Sequence, residues 1–314
     1  MSTSNLYNGY FQAKTGIITG AASGIGAELA RQLLDAGATI CVADWNEHNL
    51  EQIRERFRDY GTQASFAKVD VADQNAVHDL VNRFANSCGK LDLIFNNAGI
   101  LQTGPVEEIS RTDWERIMNI NFWGVVNGCY AAMPIMIAQG FGHIVNTASL
   151  GGIFSFGFQV SYGTTKFAVM GFSEGLRYEL QRKGIYVTTL CPGDVRSNLY
   201  DNSLSVTDPS SEQKGKLCQT AAPATSAETE PDFYEQNGSR CASAPFACRE
   251  ILSGVAEHKA FVITPHDYVA ETFLMEKYCR YYLQPDDILA GITTMRAENY
   301  AKTGNIYISE LPSE

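Results

Sequence analysis

The chain has 314 residues, 45% of them hydrophobic, and a formal net charge of −11, which suits one large α/β domain with insertions. That charge, with a pI near 5.0, excludes a nucleic-acid binder built on basic patches. Eight cysteines show no C-x-x-C pairing, so we read reduced thiols of a cytoplasmic protein, with neither a disulfide framework nor a metal site.

The N-terminus, MSTSNLYNGYFQAK, carries no apolar signal core. From Ile117 to Thr165 there is no Asp, Glu, Lys or Arg. Asn119, Asn121, Asn127, Pro134 and Gln139 interrupt this run before about 20 apolar residues accumulate, so no membrane partner is expected. The stretch reads instead as a helix buried on most sides, then a buried strand.

In chain order, Lys14 to Thr19 is a short β-rich run that breaks into Gly20-Ala-Ala-Ser-Gly24-Ile-Gly26. Ala27 to Ala36 follows with Leu29, Leu33 and Leu34 on one side of a helix, and Gly37 stops it. Strand, glycine loop and helix are the setting of a dinucleotide site. Gly20 permits a tight turn, Gly24 lets a pyrophosphate approach the backbone, and Gly26 permits close helix packing, with phosphates facing the helix N-terminus. A second strand, Ala38 to Asp44, ends in a carboxylate suited to ribose hydroxyls and repellent to a 2′-phosphate. Neither Ala21, Ala22 and Ser23 nor Trp45 supplies a cation to offset that phosphate, so the residues favour NAD over NADP.

Asn46 to Tyr60 reads as a helix, Ala64 to Val69 as a strand, Asp73 to Cys88 as a helix and Leu91 to Phe95 as strand four. Three strand–helix alternations predict an α/β fold with a doubly wound parallel sheet. Thr112 to Gly140 reads as one long helix, Gly142 to Thr147 as strand five, Ser161 to Arg182 as a helix and Ile185 to Cys191 as strand six. Residues 198–245, rich in Ser, Thr, Ala, Pro and Glu, read as an inserted substrate loop or lid within a single domain spanning 1–314. Asn237-Gly-Ser239 within it reads as a chance glycosylation triplet. A helix over Phe246 to Glu257 and a strand over Ala260 to Thr264 come next. Residues 265–314 form a C-terminal extension, with a helix expected from Tyr268 to Leu283.

The chemistry concentrates between Ser149 and Lys166. Tyr162 and Lys166, four apart, share one face of a helix. An ammonium there favours the phenolate and lowers a pKa otherwise near 10, so Tyr162 can exchange a proton with an alcohol or carbonyl. Ser149, which ends the apolar run from His143, can hydrogen-bond the same substrate oxygen.

Taken together, Thr19-Gly-x-x-x-Gly24-Ile-Gly26, Asp70-Val71, Asn96-Asn-Ala-Gly99, Asn121, Ser149, Tyr162-x-x-x-Lys166 and Pro192-Gly193 resemble the short-chain dehydrogenase/reductase family, tightly over residues 13–197. The resemblance implies a Rossmann fold, NAD as cofactor and a small-molecule alcohol or ketone substrate. It implies Tyr162 as general acid/base, Lys166 as its partner on the nicotinamide ribose, Ser149 as the group polarising the substrate oxygen, and Asn121 as holder of a water linking Lys166 to solvent. Gly20, Ser23, Gly24, Ile25, Gly26 and Asp44 would hold the dinucleotide, with Asp70 and Val71 at adenine and Asn97, Ala98 and Gly99 on the adenosine side. Pro192, Gly193, Val195 and Ser197 would meet the nicotinamide, Ser197 standing where the family often has threonine. Family members pair through the helices here at 112–139 and 161–182, which implies a homodimer or homotetramer.

Ile153, Phe154, Phe156, Phe158 and Val160 alternate between Ser149 and Tyr162. They face either the pocket or the core and subunit interface. We take Phe154, Phe156 and Tyr200 as the substrate wall, for a hydrophobic secondary alcohol or ketone, with cyclic and aromatic compounds among the candidates. Two other readings stand beside this one: a carbonyl reductase working in the reducing direction, and a non-catalytic NAD-binding sensor or scaffold.

Overall fold

Hydrophobic strands separated by amphipathic helices build a parallel sheet, because each crossover carries a helix over one sheet face. The computed structural model describes residues 7, 9–154, 156–196, 199, 204–205, 232–236, 239–265, 294–295, 297–299 and 301–302. Ser197, Tyr200, the expected helix over 268–283 and most of the substrate loop lie outside these residues.

The first half contains β1 (Thr15–Thr19), α1 (Gly24–Asp35), β2 (Thr39–Asp44), α2 (Glu47–Arg56), β3 (Ala64–Lys68), α3 (Gln74–Cys88), β4 (Leu93–Asn96) and β5 (Gln102–Thr103). The second contains α4 (Arg111–Met118), α5 (Gly124–Gln139), β6 (Gly142–Thr147), α6 (Val160–Gln181), β7 (Ile185–Pro192), β8 (Leu204–Ser205), β9 (Phe233–Gln236), β10 (Ser239–Ala242), α7 (Ala244–Ala256) and β11 (Phe261–Thr264). Seven strands pair in the order β11-β7-β6-β4-β1-β2-β3, all parallel. This is the doubly wound sheet read from the sequence. The chain reverses direction of travel between β1 and β4, which lie side by side.

Successive strand residues point to opposite faces, and the two cores divide accordingly. Ile17, Cys41, Ile94 and Ile144 pack with α3, α5 and α6, whereas Ile18, Val42, Phe95 and Val145 pack with α1, α2 and α7. Cys41, Cys129, Cys191 and Cys248 are buried thiols within this packing.

Three expectations need correction. The long helix over 112–140 is α4 and α5 joined by a π-helical turn at Asn119–Trp123, where one extra residue is inserted beside Asn121. Together they form, among the described residues, one helix long and apolar enough to cross a bilayer, with half of its most apolar window buried in the fold as in a core helix. The helix from Asn46 stops at Arg56, and a 3-10 stretch follows in which Gly61 takes φ +55°. Finally, the insertion read as irregular contains the antiparallel hairpin β9–β10, two residues apart. The intervening pair in the sequence is Asn237-Gly238, a strong hairpin signal that the composition of the stretch outweighed.

At the end of the sheet opposite the strands' carboxyl termini, His143 is buried. Thr188 Oγ1 donates to the Lys259 carbonyl at 2.6 Å, so it must accept from His143 Nε2 at 2.8 Å. Nδ1 is then bare, and the Tyr10 hydroxyl donates to it at 3.3 Å. Burial, with His258 and Lys14 nearby, pushes the His143 pKa down to about 3. A folded pKa below the ordinary value means that the unfolded chain binds the proton more readily. This contribution to stability is therefore complete above about pH 6.5 and is lost as pH falls towards 3. Thermal melts should show a midpoint that declines from about pH 6.5 to 4.5 in the wild type and declines less in His143→Gln; equal slopes would refute the assignment.

Candidate active site

The two loops that leave β1 and β4 are stitched together. Thr19 Oγ1 accepts the backbone N–H groups of Asn97 at 3.0 Å and Ala98 at 3.1 Å. Asn97 Nδ2 reaches back to the Thr19 and Gly20 carbonyls at 3.0 and 3.3 Å. Gly20 sits at φ +63°, and a Cβ there would lie 2.7 Å from Ala98 Cα. A Cβ on Gly26 would lie 2.3 Å from the Gly20 carbonyl oxygen, so neither position admits a side chain.

Helix α1 begins at Gly24, and its N-cap Ser23 makes no side-chain hydrogen bond to it. Its first N–H groups are thus left by the N-cap side chain for an anion. Ile25 is partly buried, and its carbonyl accepts the Cys248 thiol. Asp44, buried at the tip of β2, accepts the Ala22 N–H at 3.1 Å and the Asn46 N–H at 3.0 Å. A carboxylate is thereby held against the glycine loop. Trp45 beside it is exposed. Asp70 is exposed and accepts the Ala72 N–H, while Val71 is buried against Gly124, with its carbonyl bound by Asn127 Nδ2. An uncapped helix start, glycines where no Cβ fits and a fixed carboxylate form a cradle that fits a dinucleotide.

Tyr162 and Lys166 lie one turn apart on α6, both buried. Lys166 Nζ donates to the Thr147 carbonyl at 2.9 Å and stands 5.6 Å from the Tyr162 ring centre. Burial lowers the Lys166 pKa to about 8, with Cys191 opposing that shift. The expected lowering of Tyr162 is not what the structure shows. Burial raises the phenol, and a hydrogen bond with Ser149 opposes it. Lys166 is itself desolvated and aims at a main-chain carbonyl, so its pull on the phenolate is weak here.

Ser149 Oγ accepts the Gly151 N–H at 3.0 Å and donates to the Pro192 carbonyl at 3.4 Å. Asn121 is completely buried in the π turn, where its Oδ1 accepts the Ile100 N–H at 2.8 Å. Its Nδ2 donates to the Ile100 carbonyl at 2.9 Å and to Thr165 Oγ1 at 3.1 Å, and Thr165 donates to the Tyr162 carbonyl. A Cβ on Gly99 would lie 3.3 Å from Asn121 Oδ1 and 3.5 Å from Lys166 Nζ.

Several participants escaped the sequence reading. Thr165 and the Thr147 carbonyl secure the Tyr162 and Lys166 turn. A Cβ on Gly151 would lie 3.2 Å from Tyr162 Cε1, and one on Gly152 would lie 2.8 Å from the Lys166 carbonyl oxygen. Both glycines of Leu150-Gly-Gly152 were therefore a readable signal of close approach. On the far side, the Gly193 N–H binds the Thr264 carbonyl, and Val195 is buried in a bridge to Ala242 of β10. Of the substrate wall, Phe154 packs partly on the core and Phe156 is half-exposed, with ring centres 6.4 Å apart.

Residues 14–206 match the family model described as short chain dehydrogenase. The chain belongs to the short-chain dehydrogenase/reductase family. It is similar to SadH of Mycobacterium tuberculosis, 34% identical over 257 residues that cover 81% of this chain and 86% of the relative. A short chain dehydrogenase/reductase from Burkholderia phymatum in complex with NAD shares the fold, with TM-score 0.68 and 24% identity over 97% of this chain and 98% of its own. A gluconate 5-dehydrogenase from Burkholderia cenocepacia in complex with NADP and tartrate is 34% identical, with TM-score 0.58 over 62% of this chain and 76% of its own. This short-chain dehydrogenase/reductase is an oxidoreductase, and solved members of its family hold NAD or NADP.

Proposed function

We propose that the protein oxidises a hydrophobic secondary alcohol to a ketone, with NAD as hydride acceptor. The observation that carries the reading is the convergence, beside the glycine cradle, of a buried phenol and a buried Lys166 one turn apart on α6, with Ser149 Oγ and the Tyr162 ring both within 3.5 Å of the Cβ position of Gly151. As the phenolate, Tyr162 takes the hydroxyl proton while the hydride leaves the same carbon, and Ser149 orients the oxygen. Bound nicotinamide supplies the hydride chemistry. Lys166 and Asn121 hold the proton-transfer face in place, Asn121 through Ile100 and Thr165. Gly20, Ser23, Gly24, Ile25 and Gly26 would hold the pyrophosphate. Asp70, Val71, Asn97, Ala98 and Gly99 would flank adenosine, and Pro192, Gly193 and Val195 would flank nicotinamide.

Asp44 supports NAD, since its buried carboxylate occupies the tip of β2 with no cation in Ala21, Ala22, Ser23 or Trp45 to receive a 2′-phosphate. Phe154 and Phe156 support an apolar substrate. One observation favours the reductase as the second reading: burial holds Tyr162 protonated, the form that donates to a carbonyl oxygen. A second copy of the chain is the proposed partner. Trp123, Tyr130 and Ile137 recur every seven residues, all exposed, and Phe167 of α6 is exposed as well. An apolar helix face left in water calls for a partner surface.

With NAD and a panel of hydrophobic secondary alcohols, Tyr162→Phe should lose at least about a hundredfold in NADH formation. In the wild type, oxidation should rise with pH as the phenol gives up its proton, while reduction falls; near-normal turnover in Tyr162→Phe would sink the mechanism. Asp44→Ser should weaken NAD about tenfold to a hundredfold, a loss of roughly 1.5–3 kcal/mol, and narrow the preference over NADP in binding titrations. An unaltered preference would remove Asp44 from cofactor selection. Sedimentation should show a dimer or tetramer that Tyr130→Glu with Ile137→Glu converts to monomer, and a monomeric wild type would contradict the subunit surface.

A further inference from the structure

The segment leading into α6 leaves apolar side chains in solvent beside the catalytic turn. Phe156, Phe158 and Val160 are exposed, Phe158 to 68%, and Val106 is exposed on the neighbouring loop. The two loops are joined, since the Phe158 carbonyl accepts the Gly104 N–H at 2.9 Å. Phe158 takes φ +60°, a left-handed conformation that bulky residues rarely adopt. Strained residues of this kind gather at ligand-binding sites.

Behind this rim, Leu101 and Ile117 pack on Tyr162, and Ser161 donates to Gln102 at 3.0 Å. The exposed rings are therefore tied to the turn that carries the phenol. Glu107 and Glu108, exposed next to Val106, disfavour an anionic membrane surface or a carboxylate tail. The subunit surface proposed above uses other residues, from the π turn, α5 and α6.

We propose that Val106, Phe156, Phe158 and Val160 form a vestibule for an uncharged apolar arm of the substrate, remote from the carbon on which Tyr162 acts. This rests on the alcohol-oxidation reading and extends it to substrates with a long or bulky apolar group. Contact with the remote arm supplies binding energy shared equally by the bound substrate and the transition state, which lowers KM without changing kcat.

The test compares 2-butanol with 2-decanol, using NAD, in the wild type, Phe158→Asn, Phe158→Tyr and Tyr162→Phe. Asparagine tolerates the left-handed backbone, so an unchanged thermal midpoint in Phe158→Asn separates lost contact from misfolding. The expected result is a rise of about tenfold in KM for 2-decanol in Phe158→Asn, with kcat and the KM for 2-butanol held and Phe158→Tyr restoring the wild-type value. Equal effects on both alcohols, or none, overturn the vestibule, while loss of turnover in Tyr162→Phe still upholds the alcohol reading. If neither alcohol reacts in the wild type, the alcohol reading fails, and calorimetric titration of 2-decanol decides the vestibule alone. Binding that Phe158→Asn weakens then supports it, and absent binding overturns it. A smaller sedimenting species in Phe158→Asn with both KM values intact assigns the patch to a second copy and also overturns it.

Discussion

The junction between β1 and β4 is the constraint on which the site depends. Adjacent parallel strands whose connections leave to opposite faces open a crevice at their carboxyl ends. Here the crevice is closed at its floor by Thr19, which binds two backbone N–H groups of the facing loop, and by Asn97, which returns two bonds. Backbone must approach backbone for these bonds to form, so Gly20 and Gly26 carry no side chain. The glycine loop is therefore one wall of a two-loop structure, and its shape depends on residues almost eighty positions later in the chain.

A second junction orders the catalytic side. The π turn between α4 and α5 turns Asn121 inward, where one amide satisfies both backbone groups of Ile100 and reaches Thr165 on α6. Buried backbone groups left unpaired would each cost about 1–3 kcal/mol, so this amide ties three segments into one arrangement. Lys166, anchored on the Thr147 carbonyl, adds the end of β6 to the same assembly. Desolvation then sets the electrostatics, lowering the lysine and raising the tyrosine.

Much of this was legible because it depends on local spacing. The glycines before α1, the carboxylate ending β2 and the four-residue interval from Tyr162 to Lys166 each follow from strand or helix geometry, and they led to the fold class and family. Less legible was the π turn, since Asn119 to Trp123 has no marker separating it from the helix on either side. The β9–β10 hairpin carried its Asn237-Gly238 signal but lay in a stretch whose composition suggested irregularity. Thr165 is an ordinary helical residue until Asn121 arrives from another element.

By itself the sequence determined the alternation of strands and helices, the two-faced burial of each strand and the residue types available for dinucleotide and proton chemistry. Those follow from periodicity and from the stereochemistry of glycine, which act over a few residues. Only the tertiary structure decided how Tyr162, Lys166, Ser149 and Asn121 divide their hydrogen bonds and which way the pKa values of Tyr162 and Lys166 move. Burial and long-range backbone partners govern those properties, and neither exists until the sheet and its helices have packed together.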